Sequence, residues 1–294
     1  MSIMNYPNLP LEVIEQIIDK VASKSQLPRD RMIPKKFDDL PSLKACALVC
    51  HSFLALCRKH IFALVILNGQ RPVSPTPVDL NRLLSNSPHL AVYIRKLDYY
   101  IDNNKEFARK RPWLMPMFNK LVKLQRLRIG YSPTREMFNW MSPSGRKILL
   151  PLLHLPTLTS IRFRKIRNFS LADLAGCPNL KKINIGYFEF STRVGKFLEP
   201  LPATQVKLEG FVTGDDDSSC LQVQRLCQAR RPDGRRIIDF SSLKKLEVTL
   251  AQLDTLSDLF GMCRNLHHIN LSCMSFFLLH SHHFFIHFDL SNNS

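Results

Sequence analysis

"CPNLKKINI", residues 177–185, and "CRNLHHINL", residues 263–271, agree at a cysteine, an asparagine, a leucine, an isoleucine and a second asparagine. Both follow the spacing Leu-x-x-Leu-x-Leu, with other apolar side chains accepted at each place. A period of two after an entry leucine marks a strand with one face turned inward. The same spacing occurs at Leu124/Leu127/Ile129, Leu158/Ile161/Phe163, Leu180/Ile183/Ile185, Leu243/Leu246/Val248 and Leu266/Ile269/Leu271. Weaker copies are Ile94/Leu97/Tyr99 and Val206/Leu208. Most copies lie 22–34 residues apart, with one gap of about 40, an irregular period within the range of repeat units. Helical stretches fall between them, such as "LAQLDTLSDLFGMC", residues 250–263, with Leu253, Leu256 and Leu259/Phe260 on one side. The spacing predicts an α/β chain whose strand, turn and helix units stack into a curved solenoid over residues 71–273. The competing expectation is an ordinary α/β domain whose strands begin with Leu-x-x-Leu.

In that register one outward residue per strand lines a concave face: Asp98, Arg128, Arg162, Asn184, Lys207, Glu247 and Asn270, with Arg126 and Arg164 flanking the row. Its N-terminal half is basic, which suits charge-assisted hydrogen bonds to an acidic or phosphorylated protein. Arg126, Arg128, Arg162, Arg164, Asn184 and Lys207 are therefore the candidate substrate-binding residues. For any one of them, a merely solvated polar surface is the alternative.

The charge distribution sharpens this. The net charge is +17, and Lys+Arg against Asp+Glu run 9 to 6 over residues 1–70, 19 to 5 over 71–170 and 13 to 13 over 171–294. The surplus sits in the middle hundred residues, where it would attract acidic partners. No nucleic-acid-binding signature accompanies it, so nucleic acid is not the expected partner. No apolar run reaches the roughly 18 residues needed to cross a bilayer, and "MSIMNYPNLPLEVIEQIIDK" lacks the basic start and apolar centre of a signal peptide. A soluble protein of the cytoplasm or nucleus is expected, with no membrane partner. The eight cysteines (46, 50, 57, 177, 220, 227, 263 and 273) contain no CxxC pair and no metal spacing. They read as scattered core thiols of a reducing compartment.

The first sixty residues have a different texture. "LPLEVIEQIIDKV", residues 9–21, predicts a helix entered through Pro10, with Leu11, Ile14, Ile17 and Ile18 on one face. A long polar loop is expected over 22–41. A second helix is expected after Pro41, with Ser42 as N-cap, running through "LKACALVCHSF", residues 43–53. Cys46 and Cys50 then share a buried face with Leu43 and Leu54, while His51 points elsewhere. Packing rather than metal or thiol chemistry is the expected role of this pair.

The order of these elements resembles the F-box, particularly the F-box-like domains common in mushroom-forming fungi. Leu9, Pro10, Glu12, Ile14, Ile17, Leu43, Leu48, Val49, Cys50, Phe53 and Phe62 fall on the family pattern in order. Phe53 stands where Trp is commoner, and the loop between the helices is longer than usual. The resemblance covers about a fifth of the chain, and the strand-rich remainder is similar to the leucine-rich repeat domains that follow F-boxes. The resemblance implies a small helical F-box over residues 1–70, then an irregular leucine-rich repeat solenoid over 71–273 and an atypical Phe/His-rich tail over 274–294. It also implies docking on a Skp-type adaptor, and through it a cullin, by Leu9, Pro10, Ile14, Ile17, Val49, Cys50 and Phe53. The chain would then be the substrate receptor of an SCF-type cullin-RING ubiquitin ligase. The alternative is a leucine-rich repeat scaffold or nucleic-acid-associated protein without a ligase role.

No Gly-rich phosphate loop, GxSxG elbow, HExxH motif or zinc spacing occurs, so a non-enzyme without cofactor or metal is expected. "TGDDDSSC", residues 213–220, lacks the ligand spacing of a calcium loop. "ARRPDGRR", residues 229–236, predicts an exposed Pro-Asp-Gly turn. His280, His282, His283 and His287 lie in a tail without a clear period and without groups to orient them as ligands. The outer face of a genuine terminal repeat should be polar, so this tail reads as truncated or aberrant.

Overall fold

In the computed structural model, the Leu-x-x-Leu-x-Leu segments become strands because each places alternate apolar side chains on one face. Leu97, Leu127, Ile129, Ile161, Phe163, Ile183, Ile185, Leu246 and Val248 are all buried. The structure describes residues 10–24, 40–68, 75–101, 113–131, 137–192, 195–197, 201–214, 219–250, 257–274 and 283–289. In chain order the strands are β1 (Leu64–Asn68), β2 (Lys96–Ile101), β3 (Arg126–Tyr131), β4 (Phe138–Asn139), β5 (Ser160–Phe169) and β6 (Lys182–Phe190). They continue as β7 (Val206–Lys207), β8 (Gly210–Thr213), β9 (Ile238–Asp239), β10 (Lys245–Leu250), β11 (His268–Met274) and β12 (His283–Asp289). One sheet runs β1-β2-β3-β5-β6-β8-β10-β11-β12, with β4 paired to β5, while β7 and β9 form a separate pair. Every pairing is parallel except β11 with β12.

This is an α/β fold on a mostly parallel central sheet, and it overturns the expected helical F-box followed by a leucine-rich repeat solenoid. The sheet takes in β1 at residues 64–68, inside the stretch assigned to a helical module. Nor do the connections repeat a unit. One passes through the eleven-residue helix Pro143–Leu153, another through the six-residue 3-10 helix Leu171–Gly176, and another carries a strand of a second sheet. The reason is local: Leu-x-x-Leu-x-Leu records how a parallel strand buries one face, and a strand of an ordinary α/β sheet meets the same demand. Within the Phe/His-rich tail, β12 pairs with β11 as the antiparallel edge strand of the sheet.

The inward face packs on helices. These are α4 (Pro77–Asn86), α5 (Leu114–Asn119), α6 (Pro143–Leu153), α7 (Ser219–Gln228) and α8 (Ser257–Phe260), with 3-10 helices at Pro88–Tyr93 and Leu171–Gly176. Leu80, Leu84, Met117, Phe118, Leu149, Leu153 and Leu226 join the strand side chains in one core. The start of α4 is fixed by a capping box: Thr76 Oγ1 accepts from the Asp79 amide at 3.2 Å, and the Thr76 amide donates to the Asp79 carboxylate at 3.0 Å.

Two neighbouring strands bend at one rung. After the pair Arg164↔Gly186, Lys165 (φ 57°) and Tyr187 (φ 48°) both take left-handed backbone, and pairing resumes at Ile166↔Phe188. This conformation costs a non-glycine residue about 1 kcal/mol or more. An aromatic cluster packs on both sides of the bend. Phe163 stacks on Phe188 at 5.5 Å, and Trp140 meets Phe169 at 4.7 Å. Beside the cluster the buried Asp173 carboxylate accepts from Trp140 Nε1 at 2.8 Å and from Arg146 Nε and Nη2 at 3.0 and 2.7 Å. His154 Nε2 lies 2.9 Å from the Asp173 carbonyl oxygen.

Ahead of the sheet, α1 (Leu11–Lys24), α2 (Leu40–Ala47) and α3 (His51–Ile61) pack around a small core of their own. Ile18, Ala22, Leu43 and Cys57 fill it, with Ile14, Cys46, Phe53 and Leu56 packed against them. Lys59 of α3 pairs with Glu15 and, at 3.1 Å, with Asp19 of α1, and His60 Nε2 lies 2.7 Å from Asp19. The hydrogen bond from Lys59 holds the Asp19 carboxyl below its ordinary range. A depressed pKa adds stability above the unfolded value, which disappears as pH falls through the folded one. Asp19→Asn should therefore lower the urea midpoint near neutral pH, and the difference from wild type should shrink as pH falls through the folded pKa of Asp19. A difference that persists in acid would contradict this assignment.

Candidate functional site

Parallel pairing without slippage places side chains from successive strands in straight rows about 4.8 Å apart. The central outward row reads Ile66, Asp98, Arg128, Arg162, Asn184, Val212, Glu247 and Asn270. On one side run Lys96, Arg126, Ser160, Lys182, Gly210, Lys245 and His268, and on the other Tyr100, Gly130, Arg164 and Gly186. Arg126, Arg128, Arg162, Arg164 and Asn184 thus come together on one face between β3 and β6.

Lys207 does not join them. It lies on β7, which pairs with β9 away from the main sheet, and Val212 of β8 takes the corresponding place in the row. The segment "QVKLEGFVT" (residues 205–213) contains two alternations in succession. Val206 and Leu208 are buried in the small pair, while Phe211 and Thr213 are buried in the large sheet. Only the second belongs to the row.

Asp98 is the single acid among the basic rows from β2 to β6. Its carboxylate is 3.6 Å from Arg126 Nη2 and 3.7 Å from Arg128 Nη1, ion-pair distances too long for hydrogen bonds. Arg128 also lies over the Tyr100 ring, 5.4 Å from its centre. That ring rests on Gly130, where an added Cβ would stand 3.1 Å from Tyr100 Cδ1. Crowding of like charge is felt at Lys96, whose ammonium is held below its usual pKa by burial and then by Arg126, against the pull of Asp98. A face that concentrates cations in this way carries a positive potential that attracts negative charge.

The helices carry a second surface. Leu11 is 53% exposed, Ile17 52%, Leu48 87% and Val49 67%. Of the residues expected to dock on an adaptor, Pro10, Ile17, Val49 and Cys50 are exposed, while Ile14 and Phe53 are half-buried against the helical core. Leu9 lies outside the described residues. Leu11 and Leu48 belong to the exposed set and are absent from the sequence-derived docking set. The signal for Leu48 is that the helix stops: α2 ends at Ala47 and α3 begins at His51, with Cys50 extended as its N-cap. The expected continuous helix with Cys46 and Cys50 on one buried face is therefore corrected. Cys46 packs inward, and Cys50 faces solvent.

The remaining candidates resolve as follows. Burial raises the Cys57 thiol pKa, with the neighbouring Cys46 adding to it, and pushes Cys263 up to about 11, so neither is poised as a nucleophile. In "ARRPDGRR" the turn is exposed at Pro232–Arg235, but Arg231 is buried, donating to the Pro202 and Thr204 carbonyls at 2.7 and 3.3 Å. The acidic run at 215–217 and His280 and His282 lie outside the described residues, as do the side chains of His283 and His287. Among the described residues no group of three or more His, Cys, Asp or Glu could hold a metal ion. No helix among them is long and apolar enough to cross a membrane. No family model matches the chain, and no curated protein matches it.

Proposed function

We propose that the protein is a non-catalytic substrate receptor of an SCF-type cullin-RING ubiquitin ligase, acting in the cytoplasm or nucleus. Its N-terminal helices bind a Skp-type adaptor and, through it, a cullin. The outward face of its sheet binds an acidic or phosphorylated protein, and catalysis comes from proximity to another subunit. The observation that carries this reading is the set of large apolar side chains at Leu11, Ile17, Leu48 and Val49, exposed on a helical unit whose own interior is already filled. Large apolar side chains left exposed beside a filled interior suit contact with another protein. The order of F-box-like residues from Pro10 to Phe62 supplies the identity of the contact.

Co-precipitation of the full chain with a purified Skp-type adaptor tests the proposal. The wild type should bind, and Ile17→Asp with Val49→Asp should not. A second reading, a nucleic-acid-associated protein without a ligase role, is favoured by the cationic rows alone. It requires oligonucleotide binding that weakens steeply with salt, together with no adaptor binding.

A further inference from the structure

The row at the N-terminal end of the main sheet gathers cations that its own chain leaves uncompensated. Lys96, Arg126 and Ser160 are direct neighbours across β2, β3 and β5, on the outward face. Strands β1, β2 and β3 together carry one acid, Asp98, against Lys96, Arg126 and Arg128, so two positive charges remain. No acid among the described residues lies within ion-pair distance of the Lys96 ammonium, whose neighbours in the row are Leu64 and Arg126. Burial, then the Arg126 charge, holds its pKa down. All three groups are within reach of solvent: the Arg126 side chain keeps 41% of its surface, and Lys96 and Ser160 are partly exposed. Arg126 comes no closer to Asp98 than 3.6 Å, too far for a hydrogen bond. The Ser160 hydroxyl makes no hydrogen bond among the described residues.

We propose that Lys96, Arg126 and Ser160 seat the phosphoryl group of a phosphorylated side chain on the partner protein. This rests on the reading of the sheet face as the site for an acidic or phosphorylated protein, and it decides between the two. At neutral pH a phosphomonoester carries close to two negative charges and three strong acceptor oxygens. Its charge matches the local surplus. Its oxygens accept from the Lys96 ammonium, the Arg126 guanidinium and the Ser160 hydroxyl, which come from three successive strands. A carboxylate brings one charge and two oxygens, so it leaves part of the surplus and one donor unused. Each link of a nucleic-acid strand likewise brings a single charge. Asp98 is 7% exposed and lies 3.6 and 3.7 Å from the Arg126 and Arg128 guanidinium groups, so it steadies both without cancelling their charge.

Fluorescence anisotropy on the full chain tests this with three labelled probes: a short glycine-rich peptide carrying one phosphoserine, the same peptide with glutamate in its place, and an oligothymidylate. Wild type should bind the phosphopeptide about tenfold more tightly than the glutamate peptide. Lys96→Gln and Arg126→Gln should each abolish that preference, and Ser160→Ala should reduce it severalfold. Lys244→Gln, at an exposed position beside β10 and four strands from β3, should leave it unchanged. A second readout needs no variant: acetylation of Lys96 by an N-hydroxysuccinimide ester, followed by mass spectrometry. The phosphopeptide should slow it severalfold, and the glutamate peptide at the same concentration should not. Equal affinity for the two peptides overturns the seat and leaves the acidic-partner reading standing. So does a preference that survives Lys96→Gln and Arg126→Gln together. Protection of Lys96 by inorganic phosphate but not by the phosphopeptide assigns the site to a free anion and overturns the proposal. Tighter binding of oligothymidylate than of phosphopeptide overturns it in favour of nucleic acid, and failure to bind any probe overturns the reading of the face itself.

Discussion

Asp173→Ala is expected to destabilise the protein by about 3–5 kcal/mol, the cost of breaking a buried charged network at one partner. The carboxylate is about 1% exposed and takes three donors, one from Trp140 and two from Arg146. Trp140 is fully buried, so its indole N–H has no route to water once the carboxylate is gone. Arg146 keeps a quarter of its side-chain surface, 25%, and can be partly rehydrated. Its guanidinium is held above its ordinary pKa, first by the hydrogen bond to Asp173, which also shows which partner supports it. The network joins α6 and Trp140 to the 3-10 helix Leu171–Gly176, so its loss loosens the packing of these elements beside the aromatic cluster. Asp173→Asn retains one acceptor and should lose less. Urea unfolding reads the difference, and a loss under about 1 kcal/mol for Asp173→Ala would mean that the network contributes little.

The second large effect is on binding rather than folding. Ile17→Asp together with Val49→Asp is expected to weaken adaptor binding by about 3 kcal/mol or more, over a hundredfold in affinity. Both side chains are more than half exposed in the protein alone, so the charges should change its unfolding midpoint little. At an interface each would place an unpaired carboxylate where an apolar contact is needed. Ile14→Asp is a poor substitute, because Ile14 packs against Ile18, Leu43 and Cys57 and a charge there would unfold the helical unit. Separating these positions by burial lets a lost interaction be told from a lost fold.

Much of this arrangement is legible in the sequence. Strand faces are set by nearest-neighbour alternation, so the Leu-x-x-Leu-x-Leu copies mark the inward residues of β2, β3, β5, β6, β10 and β11, and the rows of Arg126, Arg128, Arg162 and Arg164 follow. The larger architecture is not local. Whether strands belong to repeated units or to one α/β sheet depends on what connects them, and neither the 3-10 helix at Leu171–Gly176 nor the β7–β9 pair has a period to find. Lys207 falls outside the row for the same reason, since alternation identifies a strand without saying which sheet it joins. Cys50 failed differently. The apolar spacing through Leu43, Cys46 and Cys50 continues across a turn, so a period of three and four cannot report where the helix stops. The burial of Asp98 beside Arg126 and Arg128 required coordinates, because all three look like ordinary surface charges in the chain.

On the proposed function, the exposed apolar side chains of the N-terminal helices bind a Skp-type adaptor. Equilibrium titration of the full chain with the purified adaptor measures this directly. Saturable wild-type binding, lost in the Ile17→Asp/Val49→Asp variant while its unfolding curve is unchanged, is the predicted result. Wild-type protein that fails to bind, or a folded double variant that binds with wild-type affinity, would contradict it.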